Sequence, residues 1–505
     1  MLSDHGSKEI DIAPQAPILR VRNARAWLER LWSSIAERGR GFAPIPAHSL
    51  APIERARMLA LALLSERGEA SGAAVAKELL AVVSALAPEQ RGEFYAFLAE
   101  GFQPDKARLT EAARAYITLP SPESAAALAT CAEPPRQELL RRMNMAPGGT
   151  MALVAMRKTL PAYLSERPAL KLLDSDLKHL FSSWFNRGFL EIRRIDWQTP
   201  AAILEKLIAY EAVHEIQGWD DLRRRLAADR RCFAFFHPSL PGEPLIFVEV
   251  ALVRGLSGSV RALLERDTDE AAQLRRANEA DTAIFYSISN CQDGLRGISF
   301  GNFLIKQVVE ELRAELPGVQ QFSTLSPVPG FRRWLEAREP SSLNLSDAEA
   351  NALFAATSIP QEPENVLATL RSVLSNESWT KMTATAHAVR PILLRLCAEY
   401  LCDNGKGKAR PDPVARFHLG NGARLERINW MGNPGKRGLQ ESYGIMVNYL
   451  YDPATIEANH EAFAKDGSII RSTAVEALLA SEPTDSALPK RSLIVRRGRQ
   501  KIAPH

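Results

Sequence analysis

Apolar residues recur at three- and four-residue spacing along the first part of the chain, which is the period of an amphipathic α-helix. Clear examples are residues 53–66, 73–87, 136–143 and 167–184. Breaks fall at Pro88, Pro104, Pro120–Pro122 and Pro147–Gly149, and β-branched clusters are nearly absent. The pattern predicts an antiparallel helical bundle over residues 19–188. A solenoid is the alternative, although we find no fixed-period repeat.

The pattern changes near residue 190. Residues 189–195 alternate between apolar and polar, and a helical pattern over 201–215 follows. Runs rich in β-branched and aromatic residues predict strands at Arg231–Phe236, Pro244–Val253, Ala283–Ser289 and Gln321–Leu325. A glycine-rich loop and a helix over 301–315 precede the last of these strands. Strand, loop, helix and strand together indicate a βαβ unit within a mixed sheet.

Helical patterning returns at 348–356, 364–374 and 383–400, and strands are predicted again at Ala423–Trp430 and Tyr443–Tyr451. The predicted fold class is therefore α+β. An all-α helical bundle is followed by a mixed α/β domain over residues 189–488, with a helical insertion at about 340–402. Residues 1–18 are predicted to be a flexible leader, and the basic residues 489–505 a solvated tail.

Composition argues against several classes of protein. The 505 residues include 63 Lys plus Arg and 59 Asp plus Glu, and the net charge of +4 is too small to predict a nucleic-acid partner. No apolar run reaches the roughly 18–20 residues that cross a bilayer, and the N-terminus resembles no targeting signal. The five cysteines show no C-x-x-C spacing. These absences predict a soluble, cytoplasmic protein with reduced cysteines and no membrane partner.

A glycine-containing loop joins the strand at 283–289 to the helix at 301–315. It consists of Arg296, Gly297, Ile298, Ser299, Phe300, Gly301 and Asn302. Its two glycines let the backbone approach a ligand closely, and the helix N-terminus directs N–H groups at the loop. Such a junction can bind a pyrophosphate, and a turn that only caps the helix is the alternative. The loop resembles the coenzyme A loop of the GNAT acyltransferase superfamily, with Ser299 where a middle glycine is usual.

Two side chains are candidates for acid–base chemistry. Ser326 follows the predicted strand 321–325 and precedes the stiff sequence Pro-Val-Pro-Gly, and the alternative is a serine that only caps the next helix. His418 is predicted to lie between an extended stretch and a glycine turn, where burial would lower its pKa and an anion would raise it. A structural histidine is the alternative, and His237, in a predicted hairpin loop, is the rival candidate.

These segments together resemble the malonyl-CoA decarboxylase family. The matching stretches are HPSLPGEPLIFVEVAL (237–252), FYSIS with GLRGISFGNFLIKQVVEEL (285–312), FSTLSPVPGFRRWL (322–335), VARFHLGNGARLERINWMG (414–432) and YGIMVNYLY (443–451). They follow one another in unbroken order over most of 185–451. The combination of SPxPGF with a downstream FHxxNGA is specific to that family.

The resemblance implies a GNAT-like fold for the mixed α/β domain, with the loop 296–302 holding malonyl-CoA. It implies that Ser326 and His418 form a catalytic pair, and that Tyr451 is a family tyrosine near the last strand. It also implies an oligomerising helical bundle, a homotetramer, and no metal or organic cofactor. Coenzyme A enters only as part of the substrate, and the products are acetyl-CoA and CO2. Some members carry a glutamate at the position of Ser299, so a role for that carboxylate does not transfer.

Two other functions remain open at this point. One is an acyl-CoA N-acyltransferase that uses the same loop and an amine acceptor. The other is a non-catalytic protein that binds coenzyme A and forms a scaffold. Lys436 and Arg437, in a predicted glycine-rich turn over Asn433–Gly438, are candidates for contacts with coenzyme A phosphates, and solvated surface charge is the alternative.

Overall fold

A computed structural model describes residues 50–65, 68–298, 304–339, 345–357, 366–402 and 412–480, together with residues 34, 37 and 38. The predicted leader (1–18), the predicted tail (489–505) and the loop residues Ser299, Phe300, Gly301 and Asn302 lie outside the described residues. The chain divides into two compact units. The first contains Met1–Arg254 and Arg266–Gln320, and the second contains Gly255–Glu265 and Gln321–His505.

The first unit begins with a series of helices. They are α1 (Pro52–Ser65), α2 (Glu69–Ala85), α3 (Pro88–Gly101), α4 (Lys106–Thr118), α5 (Pro122–Ala132), α6 (Pro135–Asn144), α7 (Gly149–Thr159) and α8 (Leu170–Trp184). Proline stands in the first turn of α3, α5 and α6, where its missing N–H removes no helical hydrogen bond. The helices predicted over 53–66, 73–87, 136–143 and 167–184 are confirmed. The apolar faces of the helices in this series form a core that includes Leu59, Leu79, Leu98 and Leu139, all fully buried.

A four-stranded antiparallel sheet completes the first unit. Its strands are β1 (Glu191–Ile195), β2 (Arg230–Phe236), β3 (Pro244–Val253) and β4 (Thr282–Asn290), paired in that order. Helices α9 (Ala201–Tyr210) and α10 (Trp219–Arg225) pack on it through Leu204, Leu207 and Leu222. Helices α11 (Glu270–Glu279) and α12 (Leu304–Glu315) follow β3 and β4 along the chain. The strands predicted in this region are confirmed to within two residues at each end.

In the second unit, strand β8 lies at the centre of a small antiparallel sheet. Strands β5 (Gln321–Thr324) and β6 (Ser326–Pro327) pair with one edge of β8 (Met446–Tyr451), and β7 (Arg424–Asn429) pairs with the other. The helices are the short helix Val260–Leu264 and, farther along the chain, α13 (Phe331–Glu336), α14 (Asp347–Ala355), α15 (Val366–Ser375), α16 (Thr383–Cys402), α17 (Pro413–Gly420), α18 (Lys436–Ser442), α19 (Ile456–Asp466) and α20 (Thr473–Ala480). The α+β class is confirmed.

Four local predictions need correction. The helix predicted over 201–215 ends at Tyr210, because the Glu211 carboxylate accepts the N–H groups of Val213 and His214 and holds them in a turn. His418 lies on a helix, α17, and not between an extended stretch and a turn. Ser326 lies inside the strand pairing, not beyond its end. The segment 433–438, predicted as a turn, enters helix α18 at Lys436. Among the described residues, no helix is both long enough and apolar enough to span a bilayer.

Candidate active site

One face of the β5–β6–β8 pairing collects polar side chains in the second unit. The register is Phe322 opposite Tyr451, Ser323 opposite Leu450 and Ser326 opposite Val447, without a shift between β5 and β6. Because side chains alternate along a strand, Thr324 and Ser326 share the face that carries Tyr449 and Tyr451. The Oγ1 of Thr324 also accepts a hydrogen bond from the backbone N–H of Tyr449 at 3.2 Å, so these two residues are bonded across the strands.

Ser326 and His418 lie against each other on this face. The Oγ of Ser326 is 3.0 Å from Nε2 of His418, although 92 residues separate them along the chain. Both side chains are buried, with 6% and 2% of their surfaces exposed. The hydroxyl of Ser326 also donates to Oγ1 of Thr324 at 2.9 Å. We call these two residues the Ser326–His418 pair.

The ring of His418 is fixed on its other sides by two tyrosines. It stacks on Tyr449, with ring centroids 4.7 Å apart and planes 25° apart, and its Nδ1 is 2.8 Å from the hydroxyl of Tyr451. Burial lowers the pKa of His418 to about 3, so the imidazole of this structure is neutral at pH 7. Burial also raises the pKa of Tyr451, so this hydroxyl keeps its proton.

The helix that carries His418 starts and ends at residues suited to those positions. Asp412 caps its N-terminus, because Oδ1 accepts the N–H groups of Val414 and Ala415, each at 2.9 Å. After the helix, Gly422 takes a φ of +83°, and a Cβ there would lie 2.0 Å from the carbonyl oxygen of Ile456. The glycine of the Asn-Gly sequence is therefore required by close packing as well as by its φ.

Asp412 also joins the helix of His418 to the turn that follows Ser326. Its Oδ2 accepts the hydroxyl of Tyr400 at 3.3 Å and, at 3.4 Å, the backbone N–H of Gly330. A Cβ at Gly330 would lie 2.1 Å from the Tyr400 hydroxyl, so only glycine fits there. Burial raises the pKa of Asp412, while the N–H groups it accepts act in the opposite direction. One carboxylate thus ties together the two segments that bring Ser326 and His418 into contact.

The predicted coenzyme A loop begins in the first unit, and only Arg296, Gly297 and Ile298 of it are described. Leu295 to Ile298 form a type II turn, closed by a 3.0 Å hydrogen bond from the N–H of Ile298 to the Leu295 carbonyl. Gly297 has a φ of +78°, as the third position of this turn requires. The backbone before the turn is packed closely, since a Cβ at Gly294 would lie 2.0 Å from the carbonyl oxygen of Val154.

Two cations from the helical region lie beside this turn. The guanidinium of Arg157 donates to the carbonyl oxygens of Gly294 at 2.8 Å and Arg296 at 2.9 Å. The Nζ of Lys178, on α8, lies 3.9 Å from where a Cβ of Gly297 would stand. Arg296 and Gly297 themselves are exposed. The predicted loop therefore starts in a rigid turn with positive charge next to it.

Comparison with known proteins agrees with the motifs. The C-terminal domain of malonyl-CoA decarboxylase, as a family, matches residues 188–488, and its N-terminal domain matches residues 102–185. The chain belongs to the malonyl-CoA decarboxylase family. Members of this family are carboxy-lyases.

Solved structures and curated sequences of the malonyl-CoA decarboxylase family are similar to most of this chain. The crystal structures from Rhodopseudomonas palustris and Agrobacterium vitis are 49% and 50% identical. Each has a TM-score of 0.73 and covers 84% of this chain and 99% of its own. The mitochondrial malonyl-CoA decarboxylase of Anser anser anser is 37% identical over 393 residues, which are 75% of this chain and 77% of that protein.

The remaining candidates from the sequence have their own local contacts. His237 is in the β2–β3 hairpin loop, as predicted, and its Nδ1 accepts the N–H of Ser239 at 3.1 Å. Lys436 and Arg437 are exposed in the first turn of α18, where Arg437 pairs with Glu441 at 2.8 Å. These contacts favour a structural role for His237 and a solvated surface for the two cations.

Three residues of the site were missed by sequence reasoning. Thr324 stands two positions before Ser326 on a strand, so period-two alternation could have placed both on one face. Asp412 precedes Pro413, and an aspartate before a proline is a known start signal for a helix. Tyr449 had no such signal, because its stacking on His418 depends on strand pairing and on the position of α17.

Proposed function

We propose that this chain converts malonyl-CoA to acetyl-CoA and CO2, with the Ser326–His418 pair acting on the malonyl group. The observation that carries the proposal is the 3.0 Å contact between Ser326 Oγ and His418 Nε2 in a chain of the malonyl-CoA decarboxylase family. Tyr451 supports it, since its hydroxyl lies 2.8 Å from the other ring nitrogen. The elements that hold these groups are strands and a capped helix, which suits a site that must be preorganised.

The reaction needs an electron sink for the bonding pair that CO2 leaves behind and a source of one proton. Loss of CO2 breaks the bond between C2 and the carboxylate, and the bonding pair moves into the thioester as an enolate. Protonation of C2 then gives acetyl-CoA. The thioester carbonyl is the electron sink, so the protein must supply hydrogen-bond donors for the enolate oxygen and an acid for C2. Such donors and acids typically contribute about 10²–10³-fold and 10²–10⁴-fold, respectively.

His418 supplies that acid in the proposed mechanism. A neutral imidazole is a weak acid, but a thioester enolate is a far stronger base than imidazolate, so transfer from Nε2–H to C2 runs downhill. As Nε2 gives up its proton, Nδ1 can take one from the hydroxyl of Tyr451, which keeps the ring neutral. Tyr451 then recovers a proton from water. When the substrate binds, the hydroxyl of Ser326 turns from Thr324 to donate to the enolate oxygen, which leaves Nε2–H of His418 free to face C2. No covalent intermediate on Ser326 is required.

We propose further that residues 296–302 hold the coenzyme A portion of the substrate. The type II turn at 295–298 and the nearby ammonium of Lys178 support this, because they combine a rigid backbone with positive charge suited to phosphate. The positive φ of Gly297 is not separate support for a ligand, because the type II turn requires it whether or not a ligand binds.

The oligomeric state and the compartment are also proposals. Helices α4 and α5 pack on each other, yet neither contains a buried residue. Two short helices without a core are marginal in water, which supports a bundle covered by further copies in a homotetramer. For the compartment we propose the cytoplasm, whereas curated relatives such as the mouse protein are named mitochondrial.

One assay tests the decarboxylase proposal. Purified full-length protein is incubated with malonyl-CoA, and CO2 and acetyl-CoA are measured, with and without an amine acceptor. We expect equal amounts of CO2 and acetyl-CoA, independent of the amine. Consumption of the amine without CO2 would indicate an N-acyltransferase, and binding without turnover would indicate a scaffold; either result overturns the proposal.

Two variants with matched controls test the residues. We expect His418→Asn to abolish CO2 release, and Ser326→Ala to lower turnover by roughly tenfold or more, the loss of one transition-state hydrogen bond. His237→Asn removes another buried histidine, and Ser323→Ala removes a buried hydroxyl from the preceding strand, β5. Both controls should keep wild-type turnover. Full activity in His418→Asn would remove it from the mechanism.

A further inference from the structure

The hydrogen bonds around the Ser326–His418 pair form a chain with a definite direction. A serine hydroxyl has one proton to donate, and the hydroxyl of Ser326 donates it to Oγ1 of Thr324 at 2.9 Å. The oxygen of Ser326 must therefore accept in its 3.0 Å contact with His418, so Nε2 carries the proton. A neutral imidazole has only one N–H, so Nδ1 must accept from the hydroxyl of Tyr451 at 2.8 Å.

Thr324 is held so that it can accept the serine proton. It is fully buried, and its Oγ1 also accepts the backbone N–H of Tyr449 at 3.2 Å. Its carbonyl oxygen accepts the side-chain amide of Asn448 at 2.7 Å. Each of these bonds joins a backbone group to a side chain, and both lie between the pairs that β5 and β6 make with β8, where backbone-to-backbone pairing is interrupted. The interruption frees the threonine hydroxyl to face Ser326.

We infer that Thr324 is a positioning residue: by accepting the proton of Ser326, it fixes His418 as the Nε2–H tautomer. Without this acceptor, the serine hydroxyl is free to turn and donate to Nε2, and the ring would then carry its proton on Nδ1, toward Tyr451. A neutral ring in that state presents a lone pair and no proton on the side of Ser326. The expected effect of Thr324 on catalysis rests on the proposed function. The tautomer of His418 does not, because it is a property of the protein without substrate.

The first test is steady-state kinetics on two Thr324 variants. Thr324→Val keeps the shape of the side chain and removes the acceptor, whereas Thr324→Ser keeps the hydroxyl. We expect Thr324→Val to lower kcat by about tenfold, the effect of one net hydrogen bond, with KM within about twofold of wild type. Thr324→Ser should recover most of the loss. Ser323→Ala, one position away on β5, is the control and should change neither constant.

The second test reads the tautomer directly. Solid-state NMR of protein labelled with ¹⁵N-histidine distinguishes protonated from unprotonated ring nitrogens, and the His418 signals are identified by their loss in His418→Asn. We expect a protonated Nε2 in wild type and Thr324→Ser, and a shift toward protonated Nδ1 in Thr324→Val. A protonated Nδ1 in wild type, or an unchanged tautomer in Thr324→Val, overturns the inference.

The two proposals fail in different ways. If wild-type protein releases no CO2 from malonyl-CoA, the proposed function is wrong, and the NMR measurement still decides the role of Thr324 because it needs no substrate. If turnover is normal but the tautomer does not depend on Thr324, only the inference about Thr324 is wrong. A loss of kcat in Thr324→Ser as large as in Thr324→Val would also contradict it, since the serine keeps the acceptor.

Discussion

The imidazole of His418 lies among Tyr449, Tyr451, Thr324 and Ser326, with almost no exposed surface. No carboxylate is among the hydrogen-bond partners that the structure describes for its two nitrogens, so desolvation alone lowers the pKa of His418. The ring is therefore suited to act as a neutral acid, and its tautomer decides which nitrogen has the proton to donate. A bound malonyl carboxylate, if it lies close to the ring, would raise this pKa again.

Burial of His418 predicts how stability depends on pH. The pKa is about 3 in the folded protein and about 6.5 in an unfolded chain. Below pH 6.5 the unfolded chain takes up a proton that the folded protein does not, so folding stability falls as pH drops from 6.5 toward 3. The slope from this one residue is up to about 1.4 kcal/mol per pH unit. Denaturant unfolding at pH 7, 6 and 5 should show a smaller slope for His418→Gln than for wild type.

The comparison uses slopes because His418→Gln also changes stability at pH 7. His179→Gln is the matched control, since it removes a histidine whose side chain is exposed. Identical slopes in wild type and His418→Gln would contradict the neutral, buried state of the ring.

At the residue scale, the local sequence makes Ser326 and His418 candidates, whereas their pairing and the choice of Tyr451 depend on the family motifs. Their contact could not be derived from spacing, because it depends on the register of β8 with β5 and β6 and on the position of α17. Period-two alternation along the strand is enough to place Thr324 on the same face as Ser326. The direction of the hydrogen bonds cannot be predicted from the sequence, because it depends on the positions of the atoms.

At the scale of elements, burial explains which predictions succeeded. Strand β3 was predicted with its bounds as observed, and nearly all of its residues are buried, so its apolar run is continuous and unambiguous. Helix α9 was predicted too long because Glu211 makes its contacts with Ser287 and Ser289 of a distant strand. The helix of His418 was missed because the glycines after it suggested a turn. The Asp-Pro sequence before the helix is nonetheless a start signal.

Asp412 predicts a coupling between helix capping and catalysis. Asp412→Ala removes the cap of α17 and the link to Gly330, so we expect stability to fall by about 1–2 kcal/mol and turnover to fall as well. Thermal unfolding and steady-state kinetics check the two effects. Asp269→Ala is the matched control, since Asp269 caps α11 by accepting the N–H of Ala272 at 2.9 Å. It should lose stability only. Wild-type turnover in folded Asp412→Ala would contradict the positioning role.

At the scale of the whole molecule, the order of motifs identified the family, and the sequence also predicted the α+β class. It did not predict the division into two compact units, because chain segments 255–265 and 266–320 fall in different units although they adjoin in sequence. Which unit a segment joins depends on its contacts with residues that are distant along the chain. The N–H of Val260 with the Gly432 carbonyl is one example.

The proposed binding of coenzyme A joins residues that are far apart along the chain. Lys178 lies beside Gly297, so Lys178→Ala should raise the KM for malonyl-CoA about three- to tenfold with little change in kcat, because a phosphate contact contributes binding in ground and transition states alike. Initial-rate kinetics at low salt measure this. Lys171→Ala, an exposed lysine on the same helix, should leave KM unchanged. An unaltered KM for Lys178→Ala would remove this lysine from the binding proposal.

The proposed homotetramer predicts a loss of assembly when the apolar surface of the α4–α5 hairpin is changed. Ile117 and Leu119 are 77% and 72% exposed, which is unusual for such side chains in a protein without a partner. Ile117→Glu with Leu119→Glu should shift the protein to smaller species in light scattering coupled to size-exclusion chromatography. Leu274→Glu changes a similarly exposed leucine on α11 and is the control. An unchanged mass for the double variant would place the interface elsewhere.

A double-mutant cycle on CO2 release tests most directly whether Ser326 and His418 act as one unit. The rates of wild type, Ser326→Ala, His418→Asn and the double variant are measured at saturating malonyl-CoA. We predict that the double variant loses about as much activity as His418→Asn alone, because the hydrogen bond from Ser326 contributes to the rate only while His418 can protonate C2. If the two losses multiply, or if His418→Asn stays active, the pair does not perform the reaction as described.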